Sequence, residues 1–385
     1  MRRLQLVWAL LTLNVLSFVV VTPLVLPIPS VVGKLITQGS MILMLLAALA
    51  LNPRGYIRPN AYLTILTVLA VTALPVSLGS DFWAGSTYRS VRLIVFVATL
   101  WLLTPWWGAR PDMPLLRVHL RTLTAVLATV VAGALVSPGR AFAFDNRLSG
   151  VVWPIPPTQV AHYAAILVGC TCVLWFCRLV SSRRALGIGV AGGGILLLTH
   201  TRTALAAMLV GLILAGMSLL LTRSRVRAAF AWTAATALVA ALIFAPVITS
   251  WLARGQSASE ATQLTGRTLV WHDLLAAPRS NVHVLLGYGL SNKSFHGLSI
   301  DSSWLALYQD SGLLGGVLVV ALMLALILGV IFTARGPYRA IALFLIAYDL
   351  TASFAEVGLG DASPYLLDLA VAAALLWRAP RRGST

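Results

Sequence analysis

Residues 301–333 read DSSWLALYQDSGLLGGVLVVALMLALILGVIFT. Beyond Asp310 this run carries no charged side chain as far as Thr333. The hydrocarbon core of a bilayer takes about 20 consecutive apolar residues of helix, so the stretch is a membrane span. Runs of the same kind recur at 4–22, 33–51, 61–78, 90–104, 118–136, 158–177, 185–199, 203–221, 228–248, 339–355 and 363–377. Hydrophobic residues make up 59% of the 385 and charged residues only 10%, against roughly 25% in soluble proteins. The expected fold is an all-α integral membrane protein of about 12 transmembrane helices forming a single membrane domain over 1–385. Met1-Arg2-Arg3 followed by Leu4 to Val21 imitates a secretory signal. No small-x-small cleavage site follows it, so the segment is read as a retained first span.

The alternation of basic residues sets an expected orientation. With the N-terminus cytoplasmic, 18 of the 28 basic residues fall in inner loops and tails. Both termini are then inside, and the one long polar stretch, 249–302 between spans 9 and 10, is extracytoplasmic. The remaining Lys34, Arg89, Arg92, Arg140, Arg147, Arg202, Arg254, Arg267, Arg279 and Lys293 lie at the outer face, where they invite an anionic ligand. The net charge of +17 is a topology signal plus attraction to membrane lipids. No basic soluble module exists to bind nucleic acid, so none is expected as a partner.

Several motifs have ordinary readings. Gly187-Ile-Gly189-Val-Ala-Gly192 matches a dinucleotide fingerprint, but no strand precedes it and no acidic residue follows about 20 positions on. Gly189 and Gly193 instead have the spacing that lets membrane helices approach closely. Cys170, Cys172 and Cys177 share one apolar span and support neither a disulfide nor a zinc site. Asp301-Ser302-Ser303 ahead of Trp304 is an ordinary helix N-cap pattern.

Other groups suggest chemistry. Arg202, in the short turn His200-Thr201-Arg202, is held near the hydrocarbon boundary, where it acts as an interfacial anchor or as a bidentate phosphate fork. Arg147 lies in a polar, proline-rich segment ahead of the span containing His162. Residues 268–277 read as a short amphipathic helix ended by Pro278, which sets Arg267 at the level of lipid phosphates. Gly287 and Gly289 permit a tight turn whose exposed amides suit a phosphate. His296 and Asp301 can accept a proton, and Asp310, Asp349 and Asp368 sit inside spans, where pairing with Arg202, Arg89 or Arg92, or hydrogen bonding in a wet cavity, is expected.

Five of these stretches, Arg147-Leu-Ser-Gly150, Thr199-His-Thr-Arg202-Thr-Ala, Thr265-Gly-Arg267 with Trp271, Leu286-Gly-Tyr-Gly289 and Asp301-Ser-Ser-Trp304 with Gly312-Leu-Leu-Gly315, occur in one order. In order and spacing they resemble the bacterial O-antigen ligase and O-antigen polymerase (Wzy-like) superfamily over about residues 140 to 330. The resemblance implies a GT-C-like glycosyltransferase in the bacterial cytoplasmic membrane, with its active site facing outside. Such proteins move a glycan from a polyprenyl diphosphate carrier to an acceptor glycan hydroxyl, and no metal or other cofactor is expected. It implies that Arg202 and Arg267 hold the diphosphate, and Arg147 is expected to join them. The family's last motif commonly opens on His, where this chain has Asp301. Asp301 is therefore the first candidate for the catalytic base and His296 the second, with His162, His200, Lys293, Asp310 and Trp304 expected in the substrate cavity. The competing expectation is a transporter or flippase for lipid-linked oligosaccharides, with Asp310, Asp349 and Asp368 as an ion pathway.

Overall fold

The computed structural model describes residues 2–19, 24–25, 27–108, 112–220, 225–228, 267–291 and 293–376. Residues 229–248 of the expected span at 228–248, together with Arg254, Thr265 and Gly266, lie outside the described residues. What is described is mostly helical, with one two-stranded hairpin. In chain order the helices are α1 (Arg2–Val15), α2 (Ser30–Leu51), α3 (Ala61–Leu78), α4 (Trp83–Leu102), α5 (Pro114–Val136), α6 (Pro138–Ala141), α7 (Pro157–Phe176), α8 (Ser182–Leu198) and α9 (Arg202–Leu219). After the undescribed stretch come α10 (Arg267–Ala276), α11 (Asn281–Leu286), the hairpin β1 (Ser294–Phe295) and β2 (Leu298–Ser299), α12 (Ser303–Phe332), α13 (Pro337–Ala352) and α14 (Pro364–Leu376).

Six of these, α2, α3, α5, α7, α9 and α12, are long and apolar enough to cross a membrane, and the chain is a membrane protein. The helix starts follow from sequence. Proline, whose fixed φ suits a first turn and whose missing N–H is no loss there, opens α5, α7, α13 and α14. The Asn60 side chain accepts from the Leu63 amide and caps α3. The first expected span needs correction: α1 ends at Val15 instead of running to 22. Its C-terminal carbonyls turn to other partners, since Arg92 binds the Asn14 carbonyl and Gln159 the Val15 carbonyl. The expected start of the fourth span at 90 also moves, because α4 begins at Trp83 and takes Arg89 and Arg92 into its first half.

Burial sorts the helices into layers. Almost every residue of α14 from Tyr365 to Leu375 is buried, as is α13 from Ala340 to Asp349. Helices apolar all round and buried all round form the centre of a bundle. On α12, by contrast, Leu313, Val317, Val320, Leu324, Leu328 and Ile331 recur at helical spacing and are exposed, as are Val31, Leu35, Leu43 and Leu46 of α2. An apolar stripe of that extent on a membrane helix is a lipid-facing surface. Lipid offers no hydrophobic drive between helices, so close packing relies on small residues. Phe344 of α13 fills the space left by Gly169 of α7 and Gly211 of α9; a Cβ on Gly211 would stand 2.8 Å from its ring. Gly189 and Gly193 do not serve this purpose: a Cβ on either meets nothing within 4 Å, and Gly192 is the residue that packs, against Val168.

α12 is broken at Gly312, where φ is 60° and ψ −158°. The break frees the carbonyls of Gln309 and Asp310, which accept from the amides of Tyr288 and Gly289 at 2.9 Å. The Gly287–Gly289 turn therefore serves α12, not a phosphate, and Gly287 and Gly289 adopt φ of 76° and 87° to reach it. Gly312→Ala is expected to cost about 2–3 kcal/mol or more, because its φ disfavours a side chain and the new Cβ lands 2.5 Å from the Leu285 carbonyl. Gly316→Ala meets open space and should be neutral or slightly stabilising. Thermal denaturation of the two purified variants checks the pair; equal melting would mean that the turn does not hold α12.

Hydrogen bonds define two ends of the bundle. At one, Asn52 reaches the Leu102 carbonyl and Gly108 the Ala374 carbonyl. At the other gather the end of α1, the starts of α4, α7, α9 and α12, the segment 267–302, and the loop from 353 to 363 between α13 and α14. That second end holds the site.

Candidate functional site

The loop 353–363 is fixed by the motif that opens α12. Ser303 donates its hydroxyl to the Glu356 carbonyl at 2.7 Å and accepts from the Gly358 amide at 2.9 Å. The Ser303 amide donates to the Ser353 carbonyl and the Trp304 indole to the Ser353 hydroxyl. Ser302 occupies the N-cap position but makes no side-chain cap bond. The expected cap pattern is thus a docking strip for the loop that carries Glu356.

Asp301, at a left-handed φ of 43°, turns its carboxylate toward α10. Its Oδ2 accepts from Arg267 Nε at 3.2 Å, and its Oδ1 accepts from the Ser299 hydroxyl. The Trp271 indole donates to the Ile300 carbonyl at 2.7 Å, so α10 is tied to the Ile300–Asp301 segment at two points. His296 sits at the exposed tip of the β1–β2 hairpin, stacked on Phe295.

Arg147 is delivered by local turn chemistry. Asp145 and Asn146 both adopt left-handed φ, which their short polar side chains tolerate, and Phe144 bridges Arg147 across the turn. Arg147 then donates from Nε to the Thr199 carbonyl at 2.9 Å and from Nη2 to the Thr201 hydroxyl at 3.0 Å. His200, at φ 49°, makes the reversal between α8 and α9 and leaves Arg202 as the first residue of α9. Arg147 and the Arg202 turn are consequently one assembly.

Arg267 and Arg147 both act electrostatically on Glu356. Burial pushes the Glu356 carboxyl up from the ordinary 4.5 to about 7; Arg267 and Arg147 pull it down, and Asp301 adds to the rise. Glu356 is only partly accessible, and it lines a cavity of about 710 Å³. The cavity is formed by the end of α1, the starts of α2, α4 and α7, and the loop 356–365. Its charged wall is mainly cationic: Lys34, Arg89, Arg92 and Lys293 against Glu356 and Asp361, with His162 and Tyr365 deeper in. Arg92 is anchored by three bonds, to the Asn14 side chain, the Asn14 carbonyl and the Ala362 carbonyl, and Arg89 stands 3.7 Å from Asp361.

Of the residues expected in a substrate cavity, His162 and Lys293 line this one, while His200, Trp304 and Asp310 do not. For the buried carboxylates, the expected pairing with arginine needs correction. Asp310 is held by Lys293, Ser291 and the Ser291 amide, since the Gly287–Gly289 turn brings that segment over α12. Asp368 stands beside His119 and His162, and the Asp349 carboxylate has no hydrogen-bond partner among the described residues. None of the three pairs with Arg202, Arg89 or Arg92. Glu356 and Asp361 were missed because they follow an apolar run and read as its tail. The available signal was that Glu356 is one of two glutamates in the chain and sits in a turn between two membrane helices. No family model matches the chain, and no curated protein matches it.

Proposed function

We propose that the chain is a membrane glycosyltransferase of the O-antigen ligase and polymerase type. On this reading it passes a glycan from a polyprenyl diphosphate to an acceptor sugar hydroxyl at the outer face of a bacterial cytoplasmic membrane. The observation that carries the reading is Glu356, which lines a cation-lined cavity and whose elevated carboxyl feels the charges of Arg267 and Arg147. The twelve-span topology with both termini inside belongs to the same proposal. It is supported by Arg54, Arg58, Arg117, Arg121, Arg178, Arg183, Arg184, Arg335 and Arg339, which cluster at the opposite end of the bundle.

In the proposed reaction Arg147, Arg202 and Arg267 hold the donor diphosphate, and the acceptor enters the cavity on the other side of Glu356. Glu356, in place of Asp301 or His296, takes the proton from the acceptor hydroxyl. That oxygen forms the new bond to the anomeric carbon as the bond from carbon to phosphate oxygen breaks, with inversion. Polyprenyl diphosphate leaves with the electron pair, its charge held by guanidinium groups, so no general acid is required there. Asp301 positions Arg267.

A base must be ionised to act, and with Glu356 at about 7 the rate is expected to rise tenfold per pH unit below that value and level off above it. The pH–rate profile of kcat/KM reads this in the free enzyme; a flat profile from pH 5 to 8 contradicts Glu356 as the base. The reaction class is tested by reconstituting the purified chain in vesicles with a lipid-linked oligosaccharide and an acceptor glycan. Elongated or transferred glycan supports the transferase. The buried Asp349 and Asp368 favour a second reading, a carrier of lipid-linked glycans, and unchanged substrate reaching the opposite leaflet would decide for it.

A further inference from the structure

Beneath the cavity floor four helices bring ionisable side chains together in the centre of the bundle. His119 of α5, His162 of α7, Asp349 of α13 and Asp368 of α14 are each no more than 2% exposed. His119 Nε2 stands 2.8 Å from Asp368 Oδ1, and His162 Nε2 stands 3.0 Å from Asp368 Oδ2. Among the described residues, both carboxylate oxygens of Asp349 lack a hydrogen-bond partner. A donor atom from each of His162, Asp349 and Asp368 falls within 4.8 Å of the other two.

The orientation of His119 follows from its neighbour. The Trp8 indole, which can only donate, lies 3.2 Å from His119 Nδ1. That contact fixes the orientation of the ring and turns Nε2 toward Asp368. An unpaired carboxylate in a low-dielectric interior is costly, and both oxygens of Asp349 face that situation.

We infer that His162, Asp349 and Asp368 form a binding site for one divalent transition-metal cation of the zinc, manganese or cobalt class. Two carboxylates and a divalent ion are neutral together. The imidazole donor selects this class over sodium, magnesium or calcium, which take oxygen ligands. Donor atoms around one such ion stand about 3.4 Å apart at metal–ligand distances near 2.1 Å, so each donor moves by less than about 1 Å to close on it. His119, oriented by Trp8, holds the far oxygen of Asp368, as outer partners of metal ligands do. His162 lines the cavity above, which supplies the entry path. The ion joins the end of α13 to the start of α14, the two anchors of the loop that carries Glu356. The inference stands on these donors alone, independent of the transferase reading.

The test uses the full chain purified in detergent, stripped with a chelator and titrated with cobalt(II) and zinc(II). Expected are one bound equivalent, cobalt d–d absorption displaced by zinc, and a raised melting temperature. Asp349→Asn should reduce occupancy at least tenfold. Trp8→Phe, which leaves all three ligands intact, should weaken cobalt affinity about 10- to 100-fold. Monodisperse wild-type protein that binds neither ion, or that is stabilised by sodium alone, overturns the inference, as does unchanged binding by Asp349→Asn. If Asp349→Asn fails to fold, the wild-type titration and Trp8→Phe still decide.

Discussion

Glu356→Gln is expected to lower glycan transfer about 10²- to 10⁴-fold, the contribution of a positioned general base, and to leave the protein folded. The folding half of this expectation follows from the direction of the pKa shift. Glu356 is at about 7 in the fold and near 4.5 when free, so the folded state holds its proton more tightly than the unfolded chain. The cost of ionising it inside the protein appears as pH rises from 4.5 to 7 and reaches up to about 3 kcal/mol above that window. Glutamine carries no such cost. At pH 8 the variant should therefore melt no lower than the wild type, while at pH 4 the two should be closer. Loss of transfer together with a lowered melting temperature at pH 8 would point to a structural role instead. Asp301→Asn serves as the comparison, since a positioning residue should raise KM for the donor more than it lowers kcat.

The second large effect is expected at Arg267. Arg267→Ala removes a guanidinium from the proposed diphosphate clamp and should reduce kcat/KM about 10²- to 10³-fold. Stability should change little. The Arg267–Asp301 pair is substantially exposed, with side chains 25% and 37% accessible, and exposed ion pairs contribute only about 0–1 kcal/mol. Lysine at this position should recover only part of the activity, since a point charge cannot make the paired contacts of the planar fork. Arg202→Ala is expected to fall in the same range. Full transfer by both alanine variants removes the clamp.

The spans were legible because a long apolar run is a local property: wherever an expected span lies in the described residues a helix is found, from 61–78 to 363–377. The end of α1 was not legible, since Leu16, Phe18 and Val19 are as apolar as the helix before them. What stops the helix is distant, namely Arg92 and Gln159 taking its last carbonyls. The site was legible in part. Arg147 and the Arg202 turn, and Arg267 with Asp301, are joined in the structure, and each stood out as polar chemistry between apolar runs. Glu356 did not stand out, because its elevated carboxyl depends on residues some 55 to 210 positions away. The same holds for His119, which reads as one more polar residue near Arg117 and Arg121 until Trp8 and Asp368 are set beside it. The DSSW and GYG stretches were noticed for the right reason, their departure from the apolar background. Their roles, docking the Glu356 loop and filling the carbonyls freed at Gly312, depend on contacts that no periodicity encodes.

The most direct measurement is a cryo-EM structure of the Glu356→Gln variant with a non-hydrolysable polyprenyl diphosphate glycan. The account predicts diphosphate density between the Arg147 and Arg267 guanidinium groups, with the anomeric carbon facing residue 356 and the cavity beyond it. Diphosphate bound elsewhere in the bundle, or at the Arg117–Arg121 end, would contradict it.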